Sequence, residues 1–154
     1  MTYLEDNETM GTSYVGFIDK GYWTNDAFLE GFSYLLAREF KKINNKEHWQ
    51  IDMIENWITA TVGFVGCVPS YFKLFDSHDK IQVLRNTLLN ILSQLRSNPM
   101  YITVSELNEH NIGQRVWQNP SVDSFINITQ LTLKLIDGEL NTDASSPIDY
   151  WDVQ

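Results

Sequence analysis

Only one residue of the 154 is cysteine, Cys67, so the chain cannot close a disulfide within itself, which suits a reducing compartment. Basic residues are scarce too. Eleven Lys and Arg stand against twenty Asp and Glu, a net charge of −9. Nucleic acid and other phosphate-rich ligands are thereby disfavoured, because binding them relies on cations that release counterions. Long apolar runs are also missing. Trp57 to Val68, WITATVGFVGCV, is the longest weakly polar stretch and falls short of the roughly 20 residues a helix needs to cross a bilayer. The first ten residues, MTYLEDNETM, are polar and acidic where a secretory signal would place a basic and then an apolar segment. The expectation is a cytoplasmic protein with no membrane contact.

Motifs that name a reaction are absent as well. There is no Gly-x-Ser-x-Gly elbow, no phosphate-cradling glycine loop and no dinucleotide fingerprint. Cys67 lies in GFVGCVP, an apolar context near the end of a predicted helix, where the helix dipole opposes a thiolate. It reads as a small buried hydrophobe. His48, Asp52 and Glu55 fall at i, i+4 and i+7, and Glu106 and His110 at i, i+4, so each set shares a helical face. Neither matches His-Glu-x-x-His, and both read as solvated faces. His78 reads as a residue at a helix start. Asn127-Ile128-Thr129 fits the glycosylation sequon but falls within a predicted helix. No metal, cofactor, small-molecule substrate or catalytic residue is expected.

What the sequence does contain is core. With 43% hydrophobic and 13% aromatic residues it has enough apolar material for one domain, burying roughly two thirds of its unfolded surface. Behind the capping candidates Thr24, Asn25 and Asp26, the residues Leu29, Phe32, Leu36 and Phe40 recur at helical spacing, predicting a helix over 25–42. A second helix is predicted over 46–65, striped by Trp49, Met53, Ile54, Trp57, Ile58 and Thr61. Gly63, Gly66 and Pro69 stop it, and Tyr71, Phe72, Leu74 and Phe75 form an aromatic connector. Ser77 or Asp79 caps a third helix ending near Arg96, and Thr103 or Ser105 starts a short one ending at Gly113. Asn119-Pro120 and Gly138 frame a last helix. Leu131, Leu133 and Leu135 alternate there as they would in a strand, but the run is longer than an ordinary strand. The predicted fold is an all-α single-domain bundle of about five helices with irregular acidic termini, or α+β if residues 124–136 form a strand.

Charge is unevenly placed. Residues 1–30 carry six acids and one base, residues 121–154 the same, and residues 31–120 eight acids and nine bases, so the three regions hold −5, −5 and +1. Each acidic region also contains a Tyr-Trp pair: Tyr22-Trp23 ahead of Asp26 and Glu30, and Asp149-Tyr150-Trp151-Asp152 in the tail. Such pairs either staple a chain end to the bundle or form an interface. Tyr and Trp dominate binding hot spots, and carboxylates steer a basic partner. These eight residues are the candidate partner-binding set.

In size, acidity and the stretches GYWTNDAFLEGFSYLLAREF and HWQIDMIENWITATVGFVGC, the chain resembles bacterial toxin-immunity proteins, in particular the cytoplasmic immunity proteins of contact-dependent growth inhibition. The resemblance implies an inhibitor that binds and neutralises one cognate toxin domain, often a basic nuclease, without turnover. It assigns no binding residue by position. Two other readings stay open: an adaptor or secretion chaperone for an effector, and a metal-dependent enzyme built on His48, Asp52 and Glu55.

Overall fold

A computed structural model of the chain describes residues 11–62 and 74–140. It is mostly helical, with a small two-stranded antiparallel sheet ahead of the helices. Strands β1 (Thr12–Phe17) and β2 (Lys20–Asn25) form a hairpin in which Tyr14 faces Trp23, Val15 faces Tyr22 and Gly16 faces Gly21. The N-terminal region read as irregular is thus β-structure, which corrects the all-α expectation. Alternation sends Val15, Phe17, Tyr22 and Thr24 into the core. Tyr14 and Trp23, half-buried, take the outer face with their rings 5.4 Å apart. The facing glycines leave room for the Tyr14 ring to lie across them. Ile18 and Asp19 make the two-residue turn, and Ile18 alone of the pair has a positive φ, +60°.

β2 runs directly into helix α1 (Asp26–Lys41). Asn25 closes its N-terminus by accepting a hydrogen bond from the Ala27 amide at 2.8 Å. Leu29, Phe32, Leu35, Leu36 and Phe40 of α1 are fully buried, because the hairpin and three other helices pack around it. Helix α2 (His48–Thr61) begins with a capping box in which Glu47 and Gln50 satisfy each other's backbone amides. It buries Met53, Ile54, Trp57 and Ala60, while Trp49 is half-buried. Phe40 packs edge-on to Trp57 at 4.8 Å, and Trp49 and Phe75 complete that aromatic cluster. Each fully buried ring among them contributes about 1.5–3 kcal/mol by burial.

Helix α3 (His78–Ser97) is capped by Ser77 and buries Leu84, Leu88, Ile91, Leu92 and Leu95, one face at helical spacing. Thr103 caps the short α4 (Val104–Glu109), and a single 3₁₀ turn follows over Ile112–Gln114. Helix α5 (Val122–Ile136) starts at the cap Ser121, two residues beyond the expected asparagine. No strand forms at 124–136. Phe125, Ile128, Leu131 and Leu135 make one buried helical face there. The β-branched Thr129 and Thr132 fit the helix because their hydroxyls donate to the carbonyls of Phe125 and Ile128, at 2.7 and 2.8 Å. Gly138, at φ +73°, ends the helix in the left-handed conformation.

Candidate functional site

Four of the eight partner-binding candidates lie where the hairpin meets α1, and the fold separates them. Tyr22 points inward and is completely buried. Its hydroxyl is 2.7 Å from Thr132 Oγ1. Thr132 already spends its one hydrogen on the Ile128 carbonyl, so Tyr22 is the donor. Burial pushes the phenol well above its ordinary range, and the Thr132 hydrogen bond only partly offsets this. Glu30 is also buried, at 2% exposure. One of its oxygens accepts from Arg115 Nε at 3.0 Å and Nη2 at 2.5 Å. Neither side chain is available to a partner in this fold, which corrects their assignment to a contact surface.

Trp23 and Asp26 remain at the surface, each partly exposed. Asp26 sits in the first turn of α1, accepts from Ser13 Oγ at 2.6 Å, and donates its backbone amide to the Gly11 carbonyl at 3.0 Å. That ties the hairpin to the helix start, where a carboxylate also suits the dipole. The other four candidates, Asp149, Tyr150, Trp151 and Asp152, lie outside the described residues, as do Cys67, Gly63, Gly66, Pro69, Tyr71 and Phe72.

A polar seam runs along α1 from this junction. Glu30, Tyr34 and Arg38 follow at spacings of four, so they share one face, and the segment from Tyr101 to Trp117 crosses it. Arg38 Nη1 donates to both Glu106 oxygens, at 3.0 and 2.9 Å, and to the Tyr101 carbonyl at 2.9 Å. Its guanidinium lies 4.4 Å from the centre of the Tyr101 ring. The Tyr34 hydroxyl donates to Glu106 as well. Burial raises the Tyr34 phenol, and the adjacent Glu106 carboxylate raises it further. Burial opposes ionisation of Glu106 also, yet the hydrogen bonds from Tyr34 and Arg38 outweigh it and hold that carboxyl below its usual range. The seam fastens the crossing segment to α1. The Glu106 carboxylate is therefore engaged by two side chains, Tyr34 and Arg38.

His48 and Asp52 are an i, i+4 pair 3.7 Å apart, with the imidazole 88% exposed. Among the described residues no three His, Cys, Asp or Glu side chains are grouped to hold a metal ion. A recess of about 280 Å³ lies beside α5, lined among the described residues by Gln130, Leu131, Leu133 and Lys134. Its volume is near the lower end for ligand sites, and Lys134 supplies its only charge among those residues. No described helix is long and apolar enough to cross a membrane.

Sequence reading missed Tyr14 as the neighbour of Trp23 and Arg115 as the neighbour of Glu30. The first was recoverable only in part, because Val15 and Phe17 alternate as in a strand but no turn signature sets the register. The second was not, since 85 residues separate the pair. Compared with known proteins, the chain matches no protein-family model, no curated protein and no solved structure.

Proposed function

We propose that the chain is an immunity protein, a stoichiometric inhibitor that binds and neutralises a basic toxin domain such as a nuclease. The observation that carries this reading is the −5 charge of residues 1–30, within which the fold keeps Trp23 and Asp26 at the surface. A nuclease domain presents cations to phosphate. An acidic protein meets the same cations with carboxylates, and the summed field speeds the encounter. Trp23, beside Tyr14, contributes rigid aromatic contact area, and Asp149, Tyr150, Trp151 and Asp152 extend the same chemistry at the other acidic end. Inhibition is by occupation of the toxin surface, in the cytoplasm, without turnover.

Co-expression with the product of the adjacent upstream reading frame tests this reading. Rescue from that product's toxicity, with a one-to-one complex, is the expected result; no rescue and no complex would sink it. Asp149→Lys and Asp152→Lys should each weaken the complex on the order of tenfold and slow association at low salt, and Asp26→Lys should do so beyond the loss of stability that its Ser13 hydrogen bond accounts for, read from the melting temperature. Glu30→Lys does not belong in that series, because a second cation buried against Arg115 would test folding instead.

A further inference from the structure

Among the described residues, four other than glycine hold a positive φ: Ile18, Asn45, Asn111 and Gln114. Asparagine tolerates that conformation, whereas a β-branched residue in it is a true outlier. Packing does not explain Ile18 either. Its side chain is 69% exposed, while the core-facing residues of the hairpin, Val15, Phe17, Tyr22 and Thr24, are all buried. A two-residue hairpin turn with positive φ only at its first position favours glycine there. An isoleucine in that place is costly to the fold and contributes little to its core, and such outliers persist where function holds them.

The surroundings of the turn say what it would meet. Behind it stand the facing glycines Gly16 and Gly21, with the Tyr14 ring lying across them, so the tip projects beyond that ring. Asp19 is exposed next to Ile18, and Lys20 is the single base among residues 1–30, set on the inward-facing side of β2 with Tyr22. We propose that the hairpin tip, Ile18 with Asp19, is a specificity contact that inserts into a cleft of the basic partner. Ile18 fills an apolar floor and Asp19 meets a cation at the rim. This rests on the inhibitor reading and deepens it. The charge of −9 favours such a partner over the alternatives, since a second copy of the chain and an anionic membrane surface would both be repelled.

The test uses the full chain, with the catalytically inactivated product of the adjacent upstream reading frame as probe. Ile18→Gly should raise the melting temperature, because glycine accepts the turn, while weakening the complex on the order of tenfold or more. Ile18→Asn, which also tolerates the turn, should weaken it similarly. Asp19→Lys should chiefly slow association, and less so at high salt. A more stable Ile18→Gly that binds as tightly as the wild type overturns the proposal, and so does a less stable one, which would remove the strain it starts from. Dimerisation of the wild type that Ile18→Gly abolishes would assign the tip to a second copy and overturn it too. Absence of any complex with the wild type overturns the inhibitor reading itself, a result distinct from equal binding by wild type and variant.

Discussion

The buried pair Glu30–Arg115 makes a prediction in which charge and burial can be separated. Glu30 is 2% exposed, whereas about a third of the Arg115 side chain, 31%, still reaches solvent. Burial raises the Glu30 carboxyl above its ordinary range; Arg115 opposes the rise, and neighbouring Asp26 adds to it. A carboxyl raised on folding favours the protonated form in the fold. Its contribution to stability is therefore present at low pH and is lost as pH rises through the raised value. Glu30→Gln keeps the shape and an oxygen for Arg115 but removes the charge, so it should stay within about 1 kcal/mol of the wild type and gain on it as pH increases. Arg115→Met leaves the carboxylate buried and unpaired. It should cost about 3 kcal/mol at neutral pH, the low end for a broken buried pair. The exposure of the arginine, which weakens the bond that is lost, places it there. Part of that cost should return as pH falls and the unpaired carboxyl takes up a proton. Urea denaturation followed by tryptophan fluorescence from about pH 5 to about pH 7.5 reads all of this. If Arg115→Met is no worse than Glu30→Gln, or its deficit is flat with pH, the burial of Glu30 is not what sets its energetics.

Two further substitutions test packing at the same junction. Tyr22→Phe removes one buried donor but leaves Thr132 bonded to the Ile128 carbonyl, so it should cost about 1 kcal/mol. A double-mutant cycle with Thr132→Val should show coupling between the two; additive losses would mean the hydrogen bond carries no energy of its own. Gly31→Ala should lower the melting temperature even though alanine is the better helix former by about 1 kcal/mol. A Cβ there would stand 2.8 Å from the Phe125 ring and 3.3 Å from Trp117, and overpacking of that kind costs about 1–3 kcal/mol. A raised melting temperature would show that the two rings yield.

What could be read in the sequence follows from how local each determinant is. Helix α3 is carried by its own apolar stripe, its Ser77 cap and the terminal Arg96, so its end came out within a residue and its cap was one of the two residues the sequence offered. Helix α5 sends two signals at once, because threonines and alternating leucines suit a strand. The ambiguity ends only when Thr129 and Thr132 spend their hydroxyls on the helix's own carbonyls, a bond that spacing does not display. The hairpin was hidden by its turn. Ile18-Asp19 lacks the Asn-Gly or Asp-Gly signature, and Gly16 and Gly21 lower the strand propensity on either side.

Missing the hairpin also changed the meaning of the candidate site. In a loop, Tyr22 and Trp23 form one aromatic patch, and that is how adjacent letters read. In a strand with period two they must part, one to each face. Tyr22 then becomes core, bonded to a helix 110 residues further on, while Trp23 keeps a surface position with Tyr14 as its neighbour. The same rule works in reverse at the turn, where Ile18, an apolar letter that suggests core, is held out in solvent. Composition could say that the N-terminal region is acidic and aromatic. Which of its aromatics can meet a partner is decided by strand alternation, and the residue least explained by folding, Ile18, is one that composition had no reason to select.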